Sequence, residues 1–209
     1  MKKTIFVALF CLIFVSQSWG AYKINNNIYA NVDVYKAFAD LQFEGDANYT
    51  IEPQQYSLFL GYRFFPNFRW DFEFTIIAKT EINNRTPDVD PYKYNATAML
   101  FNLYFDFWDM ETNIATPFVS IGGGLGSPKV SRATTVGENT LEIEEIEWTK
   151  SNFAWQAQAG VTVRVTNNFY VLVKCIYLVM PVITNEKDLE FTSFNSSISS
   201  VGLGVSILI

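Results

Sequence analysis

Along much of this chain apolar and polar residues alternate one for one, the period of a strand with two unlike faces. Between Phe153 and Thr166 the odd positions are Phe153, Trp155, Ala157, Ala159, Val161, Val163 and Val165. The even positions there include Gln156, Gln158, Gly160, Thr162, Arg164 and Thr166. Met99, Phe101, Leu103, Phe105 and Phe107 alternate with Asn102, Tyr104 and Asp106 in the same way. Trp70, Phe72, Phe74, Ile76 and Ala78 oppose Asp71, Glu73, Thr75, Lys79 and Glu81. Together with weaker segments the pattern predicts strands near 28–42, 55–65, 69–81, 95–108, 115–129, 152–166, 169–180 and 193–209.

The predicted connections alternate in length. Pro66-Asn67-Phe68, residues 109–114 and Asn167-Asn168 are short, whereas 43–54, 82–94, 130–151 and 181–192 are long. Short turns on one rim and long loops on the other belong to bacterial outer-membrane barrels. Hydrocarbon cannot satisfy an unpaired strand edge, so a sheet that crosses it must close on itself. The expected fold class is therefore all-β: an eight-stranded antiparallel up-and-down transmembrane β-barrel. Alternation alone also fits an inverted alternative, a soluble lipocalin-like barrel with Phe72, Phe74, Phe101, Phe105 and Phe107 inside and a ligand among them.

The N-terminus reads differently. Lys2 and Lys3 precede an apolar run from Ile5 to Val15, too short to span as a helix, and Ser18-Trp19-Gly20 places small residues before Ala21. Residues 1–20 are expected to be a cleaved signal peptide and 21–209 the barrel domain. Without Lys2 and Lys3 the basic residues fall from 15 to 13 against 21 acidic ones, a net charge of −8. That balance speaks against nucleic acid, whose affinity rests on cationic contacts to phosphate. Cys175 is then the one remaining cysteine, and its parity groups it with Val171, Val173, Tyr177 and Val179 on the apolar face. Hydrophobic residues make up 49% of the chain, yet after residue 20 no apolar run reaches the roughly 18 residues of a spanning helix.

If the apolar rows meet lipid, the polar rows line the lumen. The charges assigned there are Asp33, Arg63, Asp71, Glu73, Lys79, Asp106, Arg164 and Lys174, four acids and four bases. Side chains alone fill a barrel of eight strands. Charge packed in such an interior must be paired. We therefore expect an ion-pair network that plugs the lumen, with a narrow porin-like channel as the alternative. Gly122, Gly124 and Gly126 share an inward face and should leave space for bulky neighbours such as Tyr104. Trp70 and Trp108 are expected at the short-turn rim, and Tyr56, Tyr94, Phe153 and Trp155 at the long-loop rim, where rings favour the headgroup level.

The longest loop carries Glu138, Glu142, Glu144, Glu145 and Glu147. These are the candidate surface-loop residues for a basic partner or divalent cations. Leu141 to Glu145 alternates, so the flanking strands are expected to run on beyond the membrane as a hairpin. No catalytic, cofactor or metal residues are assigned. Small barrel enzymes use histidine as base or relay, and this chain has none. Asp71 and Glu73 on one strand face are the remaining paired-carboxylate candidate.

Three segments in order resemble a known group. Gly61-Tyr62-Arg63-Phe64-Phe65-Pro66-Asn67-Phe68-Arg69 with Asp71-Phe72-Glu73-Phe74 is similar to the second hairpin of opacity-type and rickettsial-type surface-antigen barrels. So are Met99–Phe107 and Thr116–Gly126. The chain departs from their pattern at Ile209, where those proteins carry an aromatic residue. The resemblance implies an eight-stranded barrel in the outer membrane, non-enzymatic, whose loops meet the environment or a host ligand. Outer-membrane lipid is the expected partner, and a monomer the expected state.

Overall fold

The computed structural model describes residues 28–43, 48–82, 92–110, 112–136, 142–184 and 193–209. The expected signal peptide at 1–20 and parts of the long loops (44–47, 83–91, 137–141 and 185–192) lie outside these residues. Eleven strands are present among them: β1 (Ile28–Phe43), β2 (Asn48–Ile51), β3 (Gln54–Phe65), β4 (Phe68–Ile82), β5 (Tyr92–Asp106), β6 (Ala115–Val136), β7 (Glu142–Thr149), β8 (Asn152–Arg164), β9 (Phe169–Val179), β10 (Ile183–Thr184) and β11 (Ser193–Leu208). Eight of them close the barrel, in the order β1-β3-β4-β5-β6-β8-β9-β11 and back to β1. Every neighbour is antiparallel, and the seam runs from Tyr29 opposite Leu208 to Phe43 opposite Phe194.

The other three strands extend the wall. β2 pairs with β1 above a break at Glu52-Pro53, where the Pro53 carbonyl accepts the Ala37 N–H at 3.1 Å. β10 pairs with β11. β7 continues β8 on the same register against β6, with Lys129 opposite Thr149 and Gly126 opposite Asn152. β6 thus runs past the expected end at 129 to Val136, and β7, which begins at Glu142 within the alternating segment, supplies the strand opposite it.

Faces follow the alternation. Val34, Phe72, Met99, Phe101, Leu125 and Leu203 point outward, and Phe72, Met99 and Leu203 are more than 60% exposed. Outward rings form a continuous band: Trp70 stacks on Phe101 at 5.6 Å and Phe72 meets Phe101 edge-on at 5.4 Å. A soluble monomer rarely exposes a contiguous apolar patch beyond a few hundred Å². Here such residues surround the barrel, as a hydrocarbon layer requires. The inverted, lipocalin-like arrangement fails on this point, because Phe72, Phe74, Phe101 and Phe107 face out and the charged rows face in. Cys175 is exposed on the apolar face, as its parity requires. Tyr94 does not join the girdle: it lies on the inward face of β5 with Ala96, Ala98 and Leu100 and donates to Ser196 Oγ at 3.2 Å.

The outward assignment is directly testable. Leu203→Arg should destabilise the barrel by about 2–4 kcal/mol, the cost of a cation in the hydrocarbon layer, whereas Ser199→Arg, four residues nearer the long-loop rim, should cost at most about 1 kcal/mol. Urea unfolding in lipid vesicles measures both. Equal effects would mean that Leu203 does not meet hydrocarbon.

Candidate functional site

Among the described residues, charge inside the fold collects in the lumen, and its two halves differ. Toward the short-turn rim it is polar. Lys174 Nζ lies 2.5 Å from Asp33 Oδ2, both fully buried, and 4.0 Å from the centroid of the Phe59 ring. The Tyr35 hydroxyl donates to the same Asp33 oxygen at 2.5 Å. β1, β9 and β11 bring these groups together, and glycine makes the fit. A Cβ on Gly204 would stand 1.8 Å from Asp33 Oδ1, and one on Gly202 would stand 2.1 Å from Tyr35 Cδ1.

A second pair lies on β4 and β5. Arg69 Nε donates to Asp106 at 3.3 and 3.1 Å. Its guanidinium sits 4.2 Å from the Tyr104 ring centroid and 5.1 Å from that of Phe118, two rings that also meet each other at 5.6 Å, a cation–π contact inside the lumen. Asn67 Nδ2 holds the Asp106 carbonyl at 2.7 Å, tying the β3–β4 turn to the end of β5.

Between the pairs lie Asp71 and Glu73, held by neutral donors. Asp71 accepts from the Tyr29 hydroxyl at 3.1 Å and Asn102 Nδ2 at 2.8 Å. Glu73 accepts from Thr75 Oγ1 at 2.7 Å, Asn102 Nδ2 at 2.9 Å, Gln158 Nε2 at 3.2 Å and Gln156 Nε2. A carboxylate offers about four acceptor positions, so Glu73 is saturated. Asn102 reaches both carboxylates because Gly122 stands opposite it: a Cβ there would meet Asn102 Oδ1 at 1.8 Å. The space left by Gly122 is filled by Asn102, while Tyr104 is opposite Ser120.

Toward the long loops the lumen is apolar. Ala37, Leu41, Ile77, Ile82, Tyr94, Leu100, Ile176, Leu178, Met180, Phe194 and Ile198 pack as one cluster across it. The expectation of a wholly polar lining is corrected here. At the opposite end Tyr29, Arg63, Arg69, Met110, Tyr170 and Leu208 line a cavity of about 10 Å³, the volume of roughly one water.

Of the eight assigned charges, six are buried in the lumen: Asp33, Arg63, Asp71, Glu73, Asp106 and Lys174. Arg63 donates from Nη2 to Met110 Sδ at 3.1 Å. Arg164 is half-buried at the short-turn end of β8. Lys79 is not in the lumen. Two residues, Ala78 and Lys79, stand opposite the single Asn95 between the pairs Ile77–Ala96 and Thr80–Tyr94. Ile77 keeps the inward parity of Asp71, Glu73 and Thr75; the bulge after it reverses the alternation, leaves Lys79 exposed and puts Ile82 inside. Arg69 takes the place of Lys79 among the interior bases, and its parity with Asp71 and Glu73 was the signal for it. Among the described residues no group of three or more Cys, Asp or Glu is placed to hold a metal ion. Glu142, Glu144, Glu145 and Glu147 fall on β7, opposite Val136, Thr134, Ala133 and Ser131, and Glu138 lies outside the described residues.

The family model described as the outer membrane protein beta-barrel domain matches residues 6–205. The chain belongs to that family. Its place is accordingly the cell outer membrane. A search of curated protein sequences finds no match. Solved barrels of the family's shape do match. Neisserial surface protein A superposes with a TM-score of 0.59 at 15% identity, over 87% of this chain and 97% of that one. Ail, the attachment invasion locus protein of Yersinia pestis, solved with the heparin analogue sucrose octasulfate, gives 0.51 at 13% identity, over 87% and 99%. At such identities the likeness is one of fold, and it agrees with the surface-antigen resemblance of the three motif segments.

Proposed function

We propose that this barrel is a closed, non-enzymatic membrane anchor, whose segments beyond the membrane carry its interactions as an adhesin or antigen. The observation that carries the reading is the double filling of the lumen. Its polar half is occupied by the Asp33–Lys174 and Arg69–Asp106 pairs and the Asp71–Glu73 amide cluster, and its other half by packed apolar side chains. Ions crossing it would have to displace buried pairs and then pass a dry layer. Asp71 and Glu73 are sealed from solvent, which speaks against their use as a catalytic acid and base. Residues 1–20 are proposed as the cleaved signal peptide and 21–209 as a monomeric barrel.

The glutamates of β7, with Glu138, are the proposed surface-loop site, suited by charge to a cationic partner or divalent cations. Ail was solved with the heparin analogue sucrose octasulfate; the acidic site proposed here selects the opposite charge.

The test is a planar-bilayer recording of the purified, refolded full chain. We expect no steady conductance steps. Steps that survive in Glu142→Gln, Glu144→Gln and Glu147→Gln backgrounds, and that change in Lys174→Met, would overturn the closed-anchor reading in favour of a narrow channel through the lumen.

A further inference from the structure

Arg63 and Arg69 stand directly opposite each other across the β3–β4 hairpin. Both are inside the barrel, only 5% and 3% exposed. Like charges directly opposite on paired strands repel, and salt screens them weakly when they are sealed from water. Asp106 relieves one side of this. It accepts from Arg69 Nε at 3.3 and 3.1 Å, while Nη2 of the same guanidinium is buried with no hydrogen-bond partner among the described residues.

The two arginines line the cavity of about 10 Å³ at the short-turn end of the lumen. Thr162 of β8 and Ser206 of β11 bring hydroxyls to the same wall. Thr162 Oγ1 is likewise buried with no hydrogen-bond partner among the described residues. Met110 joins from the β5–β6 connection, and its Sδ accepts from Arg63 Nη2 at 3.1 Å. A thioether is only a weak acceptor. Among the described residues no carboxylate lines the cavity. Asp106 lies on the Nε side of Arg69, and Asp71 is reached through the Tyr29 hydroxyl at 3.1 Å. The wall therefore offers two cations and several donors, but little beyond hydroxyl oxygens to accept a bond. A buried water must donate as well as accept, whereas an anion only accepts. Size narrows the choice further. A cavity that holds roughly one water suits a monoatomic anion and not a tetrahedral oxyanion.

We infer that Arg63, Arg69 and Thr162 form a binding site for one monoatomic anion, chloride being the abundant one, at the short-turn mouth of the lumen. The anion lies between the facing guanidiniums and accepts from Arg69 Nη2 and the Thr162 hydroxyl. It thereby ties β3 and β4 to β8 at the end where the Asp33–Lys174 pair does not reach. The site goes beyond the closed-anchor reading and does not depend on it, because neither the loops nor the apolar half of the lumen takes part.

The test follows thermal unfolding of the full chain, refolded in neutral detergent, by loss of the compact band on electrophoresis without boiling. Sodium chloride is titrated at constant ionic strength against sodium gluconate, whose anion is too large for the cavity. We expect a midpoint that rises with chloride and saturates, a similar response to bromide, and none to sulfate. Thr162→Val keeps the shape and removes one donor. It should move the chloride dependence to about tenfold higher concentration, roughly the worth of one hydrogen bond to a charged group. Its midpoint in gluconate should not fall, because the hydroxyl has no other bond there to lose. Crystals grown in bromide should show anomalous density between Arg69 and Thr162. A response that never saturates, that sulfate reproduces, or that Thr162→Val leaves unshifted would overturn the proposal. So would bromide density only elsewhere, which would leave the cavity to a water.

Discussion

Lys174→Met should cost the barrel about 3–5 kcal/mol, more than removal of any other single lumen charge. Lys174 Nζ is the cation in contact with Asp33, at 2.5 Å, and neither side chain reaches solvent. Removing one member of a buried pair leaves the other charged and desolvated, and that orphan dominates the loss. Methionine keeps most of the lysine stem and can still pack on the Phe59 ring, which lies 4.0 Å from the ammonium, so the loss reports charge more than volume. Asp33→Asn in the Lys174→Met background should therefore recover most of the stability, because the orphan is gone and the Tyr35 hydroxyl still has an oxygen to bond. Urea unfolding of the two single variants and the double variant gives the coupling between them. If the two single losses simply add, the pair is not a unit, and the ionic account of the lumen is wrong. The coupling should also be insensitive to salt, since screening acts weakly on groups sealed from water.

Period-two alternation was enough to place all eight spanning strands, because in a barrel each strand has one hydrocarbon face and one interior face throughout its length. The same logic placed Asp33, Arg63, Asp71, Glu73, Asp106 and Lys174 on the inner wall. It failed where the alternation itself changes. At Ala78-Lys79 one extra residue shifts the register, and nothing local in the sequence marks a bulge, because Ile76, Ile77 and Ala78 are all apolar. Parity counted through that point carries Lys79 to the wrong side. Arg69 was legible and overlooked: it sits two before Asp71 on the same face, at a turn where proximity to Phe68 and Trp70 suggested a rim. Tyr94 shows the other limit. A tyrosine suits both a girdle and an interior, and only the register with Ala96 and Ala98 separates the two. The apolar half of the lumen was hidden for a related reason. Ala37, Leu41, Leu100 and Ile176 lie on strands whose outward residues are apolar too, so hydropathy could not say which apolar residues met lipid and which met each other. The pairs themselves depended on distances between strands far apart in sequence, which no pattern along the chain encodes.

Gly204→Leu should prevent the barrel from closing. The position lies on the β1–β11 seam, opposite Asp33. Closure of that seam is what removes the last two strand edges from hydrocarbon, where an unpaired backbone group costs several kcal/mol. A Cβ at Gly204 would stand 1.8 Å from Asp33 Oδ1 and 2.7 Å from its Cγ. An exposed aspartate would swing away, but this one is held by Lys174 and Tyr35. The wall must then spread, or the carboxylate must leave its cation. Overpacking alone costs about 1–3 kcal/mol, and separating the pair adds the loss expected of Lys174→Met, so the seam variant should be the more damaging of the two. On electrophoresis without boiling, the compact band should be absent for Gly204→Leu and weakened for Gly204→Ala. The cause can be isolated with the triple variant Gly204→Ala/Asp33→Ala/Lys174→Met, which removes both the struck oxygen and the cation it would orphan. The compact band should return in that background, because a short side chain at position 33 leaves room for the new methyl. If Gly204→Ala folds as well as the unaltered chain, or if the triple variant is no better than Gly204→Ala, then the close approach of Asp33 to the backbone of β11 is not what requires glycine at the seam.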